Sequence, residues 1–366
     1  MEPRTRLKKI NQMKLKGYLL LLLTIVFTSF AYVWTNTLFN SFNKPFSYVY
    51  INYSFKTIFL LVYYLKEKFK KWYRKDHDFS DIMSRTQTTF EYNLEKINDD
   101  TFSEAIDKIQ IEKRVEYEKN LCKIISNIMI LYSLPMFLLV YGMYRTCDCR
   151  KFLISNFCTG FVLVEKILLY NGRCSIVRLI ALIFLYTGCI LFVKMNGIDG
   201  NDSNDIIGDI CIFIAIILYS FYLNVIKYYS KHYRHYFDFI QILGFIGLYV
   251  LIFIPFAIFF LILLNIEILS LPSIDELRII LIISILSSIN DLLICNSVIM
   301  LSPHLVSSGY NFYYPIIITY NVILGKQDFD LFYLFGFILM LISFMMFVIE
   351  HAREYFQRTK QALLEK

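Results

Sequence analysis

Long blocks of Leu, Ile, Val and Phe follow one another along the chain, each about as long as a helix that crosses a bilayer, and they are separated by short polar connections. A hydrocarbon layer about 30 Å thick is spanned by roughly 20 helical residues. The pattern therefore predicts ten transmembrane helices, at 18–38, 46–65, 122–144, 152–170, 176–195, 207–227, 236–265, 277–299, 304–324 and 330–349. The expected fold class is an all-α integral membrane protein.

The composition agrees with this pattern. Hydrophobic residues make up 57% of the 366, aromatic residues 17% and charged residues only 18%, too apolar a mixture for a soluble surface. Lys and Arg gather in alternate connections: residues 1–17, 66–121, 227–235 and 350–366 hold most of them, and the opposite side has only Lys44, Arg145, Arg150, Lys151 and Lys326. That asymmetry predicts both termini in the cytosol. The net charge of +7 is thus a topology signal, and no basic, aromatic soluble face points to nucleic acid. MEPRTRLKKINQMKLK leads into an apolar run too long for a cleaved signal, so the first helix is expected to insert as an anchor.

The organisation predicted is a cytosolic tail at 1–17, a first unit of five helices at 18–195 that includes a cytosolic loop at 66–121, a second unit at 207–349, and a tail at 350–366. Within the loop, KEKFKKWYRK suits an anionic leaflet. Thr101 and Glu104 have capping-box spacing and predict a helix leading into the third span. Asn201, in the loop GIDGNDSND, is expected on the non-cytosolic side. A shift of 155 residues lays Asn156 and Phe157 over Asn311 and Phe312, and sets Ala181, Gly188, Phe192 and Val193 over Gly336, Ser343, Phe347 and Val348. Five spans per unit would invert one unit relative to the other, the 5+5 inverted repeat of many secondary transporters.

Polar side chains inside spans must face protein or water, because hydrocarbon cannot satisfy them. In MLSPHLVSSGYNFYYP, Ser307, Tyr310, Asn311 and Tyr314 fall within about a 100° arc of one helix, a polar face suited to lining a cavity. Tyr219 and Tyr222 in the sixth span could clamp an organic solute, although aromatic packing explains them equally well. Asn52, Lys56 and Asn156 complete the cavity candidates together with Asp291, beside Asn290. Three roles are open for Asp291: counter-ion of a cationic solute, proton-coupling carboxyl, or ion-pair partner of Lys56 or Lys166. Glu165 likewise implies a partner, water or a substrate, whereas Lys166 and Lys227 are expected to snorkel to the interface.

No Gly-rich phosphate loop, HExxH or Ser/His/Asp constellation occurs, so an enzyme is not expected, nor any cofactor. Among the eight cysteines, Cys147 and Cys149 lie close together with no histidine nearby, and no metal site is expected.

At these segments the chain resembles the drug/metabolite transporter superfamily, and within it the F subfamily of solute carrier family 35. The likeness rests on NKPF at Asn43 to Phe46, on Gly208, Asp209, Tyr219, Tyr222 and Lys227, and on Asp291 followed by Leu301 to Pro303, Gly309 and Pro315. It spans nearly the whole chain except 66–120. The resemblance implies a ten-helix 5+5 carrier whose cavity is bounded by helices one to four and six to nine, with helices five and ten peripheral and packed through Ala181, Gly188, Gly336 and Ser343. Ile294 and Ala215 depart from the residues common at those positions, near the presumed cavity. The function so implied is secondary transport of a small organic solute across an internal membrane of Golgi, vacuolar or plastid type, with the plasma membrane also open. A coupling proton or an exchanged counter-substrate would accompany the solute, and a homodimer is left open. The alternative is a non-transporting scaffold or receptor that docks through 66–121.

Overall fold

The computed structural model describes residues 3–42, 44–69, 100–146, 148–170, 175–194, 206–233, 237–263, 272–325 and 331–364. The sequence features at Asn201 and Cys147, the middle of the 66–121 loop, and the side chains of Thr101, Glu104, Cys149, Phe192 and Val193 lie outside what is described.

Among the described residues the chain is all helical, and six helices are long and apolar enough to cross a membrane. The elements are α1 (Pro3–Ser41), α2 (Pro45–Ser54), a 3-10 turn (Phe55–Thr57), α3 (58–69), α4 (Asp100–Arg145), α5 (Asp148–Tyr170), α6 (Ile176–Lys194) and α7 (Ile206–His232). They are followed by α8 (Phe239–Leu263), α9 (Ile274–Met300), α10 (Pro303–Tyr310), α11 (Tyr313–Ile323) and α12 (Leu331–Leu364). The long apolar stretches lie on α1, α4, α5, α7, α9 and α12, with shorter ones at Ile176–Leu191 and Phe239–Phe253. Large apolar side chains such as Leu22, Phe30, Ile207, Phe253, Phe256 and Phe335 point outward. Such a perimeter suits lipid and would be a liability in water.

Local chemistry sets the ends of several helices. Ser273 and Glu276 form a capping box at the start of α9, the Ser273 hydroxyl accepting from the Glu276 amide (3.3 Å) and the Glu276 carboxylate from the Ser273 amide (2.7 Å). Proline stands in the first turn of α2 and of α10, where no intrahelical amide bond is lost. Gly325, at φ 66°, follows α11 in the left-handed conformation that releases a chain from a helix.

Two of the apolar segments expected to be single helices are interrupted. The 46–65 segment passes through the 3-10 turn at Phe55–Thr57, where α8 presses on it: a Cβ added at Gly247 would lie 2.2 Å from the Thr57 amide nitrogen. The 304–324 segment breaks into α10 and α11 at Asn311 and Phe312. Pro315 accounts for the break, since its ring has no amide hydrogen to donate back to Asn311. The expected helix ahead of the third span is present, continuous with it as α4.

Packing joins α1 to α9, α4 to α7, α5 to α7, α2 to α8, and α6 to α12. In the last pair the small residues meet: Ser343 donates to the Ala181 carbonyl at 2.6 Å, and a Cβ at Gly188 would lie 2.8 Å from the Gly336 carbonyl oxygen.

Candidate functional site

A cavity of about 210 Å³ lies between these helices. Its wall takes Thr28, Tyr32, Thr35 and Phe39 from α1, Tyr48, Asn52 and Tyr53 from α2, Pro135 to Val140 in part from α4, and Lys151, Ser155 and Cys158 from α5. Ala215, Ile216, Tyr219 and Leu223 of α7 face them, with Ser287, Asn290, Asp291 and Ile294 of α9 and Ser307, Tyr310, Asn311 and Tyr313 around the α10–α11 break. Among the described residues α6, α8 and α12 contribute nothing to this wall, so the seventh apolar segment, expected on it, stands behind it there. The lining residues come from the last part of α1 and α4 and the first part of α5, which places the cavity toward that end of the bundle.

Six of the ten residues expected on the site line it: Asn52, Tyr219, Asp291, Ser307, Tyr310 and Asn311. Asn52 and Asn311 are 2% exposed, yet Asn52 Oδ1 and Asn311 Nδ2 have no hydrogen-bond partner among the described residues. Buried polar atoms are normally paired. An enclosed acceptor and an enclosed donor thus lie on residues of the cavity wall, each with hydrogen-bonding capacity left over.

The other four stand behind the wall. Lys56 is fully buried and forms an ion pair with Asp291, with Tyr132 bridging: its hydroxyl donates to Asp291 Oδ2 at 2.6 Å and accepts from Lys56. The ammonium also lies 4.0 Å from the centre of the Tyr53 ring. Tyr222 is sandwiched between Tyr219 and Tyr132, with centroids 5.5 and 5.1 Å away, and so backs the cavity wall instead of lining it. Asn156 donates back to the Phe152 carbonyl of its own helix at 2.8 Å. Tyr314 stacks on Phe152 at 4.3 Å, because the break after Asn311 rotates the next turn and brings Tyr313 to the cavity in its place.

Other ionisable residues also depart from expectation. Lys227 turns inward and donates to the carbonyls of Val298, Ile299 and Leu301 at 3.0, 2.7 and 2.8 Å, capping the C-terminal end of α9. The reason is that those carbonyls have no amide partners at a helix end and carry its partial negative charge. Glu165 meets Ser220 and Asn224 of α7. Arg178, buried in α6, pairs with Glu354 of α12.

Sequence reasoning missed Thr28, Tyr32, Thr35, Tyr48, Tyr53, Tyr132, Ser155, Ser287 and Tyr313. Thr24, Thr28 and Thr35, spaced by four and seven, marked one face of α1 and would have found it. The tyrosines were hidden among 28 of their kind. Ala215 and Ile294 also lie on the wall.

Fold and cavity together define a multi-pass helical membrane protein with a mixed polar and aromatic chamber among its helices. No protein-family model and no curated protein matches the chain. One solved crystal structure, of a protein described without a function, is similar at a TM-score of 0.58 and 10% identity, covering 94% of this chain and 98% of that one. At that identity the likeness concerns fold alone.

Proposed function

We propose that the chain is a secondary transporter of a small organic solute, of the drug/metabolite type, with ten spans arranged as two inverted units of five. The observation that carries this reading is the chamber itself: polar groups with unmet hydrogen-bonding capacity, drawn from both units, at a depth where hydrocarbon could not satisfy them. The packing pattern supports the repeat. Exchanging the two units maps α1 on α9 onto α7 on α4, and maps α6 on α12 and α2 on α8 onto themselves. With both termini cytosolic, the chamber lies toward the non-cytosolic side, and the Lys227 cap, the Glu165 contacts and the Arg178–Glu354 pair close the other end. Rocking of one unit against the other would then expose the chamber alternately. An internal membrane fits the resemblance to the F subfamily of solute carrier family 35.

Uptake of a metabolite extract into proteoliposomes holding the full chain, read by mass spectrometry, tests the proposal. One solute or a small set should accumulate over empty vesicles. Asn311→Leu should cut that uptake at least tenfold while leaving the yield of folded protein similar. A folded preparation that takes up nothing, or Asn311→Leu uptake equal to wild type, would count against it.

A further inference from the structure

We infer that Glu165 is a proton-binding site, occupied in this conformation, distinct from the Lys56–Asp291 pair. Glu165 is 6% exposed, in the membrane-level part of α5. Its partners are both neutral: the Asn224 amide donates to Oε2 at 2.8 Å, and the Ser220 hydroxyl meets Oε1. A carboxylate enclosed this way has no cation to offset its loss of hydration, whereas a carboxylic acid needs none. Asp291 is the contrasting case, since Lys56 supplies the compensating charge there.

The hydrogens point the same way. Ser220 Oγ also lies 2.7 Å from the Ile217 carbonyl oxygen, a position for donation to its own helix. A hydroxyl has one hydrogen. With that hydrogen given to Ile217, the contact with Oε1 is a full hydrogen bond only if the carboxyl supplies a proton to the serine oxygen. Cys158 on α5 lies within electrostatic reach of Glu165, Lys166 follows it in sequence, and the helices packed on α5 carry Arg178 (α6), Lys227 (α7) and His304 (α10). Arg178 pairs with Glu354, Lys227 holds the α9 carbonyls, His304 lies against Ser302, and Glu165 makes no ion pair among the described residues.

The location gives the proton a use, which rests on the carrier reading. α5 belongs to the first unit and α7 to the second, so motion between the units parts Glu165 from Ser220 and Asn224. Water admitted there would take the proton and leave a carboxylate, coupling release to the conformational step. The proton itself can be tested without any transport assay. Infrared titration of the full chain in lipid should show the C=O stretch of a protonated carboxyl at neutral pH, disappearing reversibly as pH rises. Glu165→Gln should delete that band, Asp291→Asn should retain it, and Ser220→Ala should shift it to the frequency of a more weakly bonded acid. Ser220→Ala serves as the second test where Glu165→Gln folds poorly. Absence of the band, or its persistence unshifted in both Glu165→Gln and Ser220→Ala, would overturn the inference, whatever the uptake assay shows.

Discussion

Lys56 and Asp291 form a buried ion pair beside the cavity, and such a pair is costly to break from one side. Removing either partner leaves an unpaired charge, with an expected loss of about 3–5 kcal/mol. Lys56→Met and Asp291→Asn should each lower the midpoint of thermal unfolding in detergent, and the double variant should recover much of the loss. Additive losses in the double variant would show that the two charges do not depend on each other. At this scale the sequence was informative about which polar residues need a buried partner and poor at saying which partner each finds. Asp291 was visible as an intramembrane acid and Lys56 as a candidate partner, because each is expensive alone. Tyr132, which bridges them, was invisible because nothing in its local sequence separates it from other tyrosines packed in apolar surroundings.

Helices interrupt one another where backbones come close. A Cβ at Gly247 of α8 would collide with the backbone at Lys56 and Thr57, which cannot swing away as a side chain does. Gly247→Ala is therefore expected to destabilise by about 3 kcal/mol and to disturb Lys56, seen as a lowered unfolding midpoint in detergent. Wild-type stability in this variant would show that α8 does not constrain the turn. The end of α9 is held differently, by three hydrogen bonds from Lys227. Lys227→Met should loosen that end by about 2 kcal/mol, which is roughly thirtyfold faster amide exchange in the last turn of α9 and the start of α10. Exchange confined to wild-type rates would mean that the cap is dispensable. The lysine was expected at the interface because hydropathy shows the depth of a side chain and not the direction in which it turns.

For the whole molecule, the arrangement of termini and chamber makes a prediction about sides. In a cysteine-free background, Asp275→Cys at the start of α9 should react with a membrane-impermeant label from the non-cytosolic face, and Lys231→Cys only after the cytosolic face is opened. The reverse pattern would invert the topology. The sequence by itself determined that the chain is a helical multi-pass membrane protein and where its apolar segments lie, since the cost of bare backbone in hydrocarbon is written into every segment of the required length. It also marked Asn52, Asn311 and Asp291 as polar groups in need of a reason. Tertiary structure decided the rest: which tyrosines line the chamber and which stand behind it, that Lys227 faces inward, and that Tyr313 takes the place of Tyr314. The physical reason is that burial in a helical bundle depends on rotations and breaks set by neighbouring helices, such as the α10–α11 break and the approach of Gly247. Periodicity along one segment carries no information about those partners.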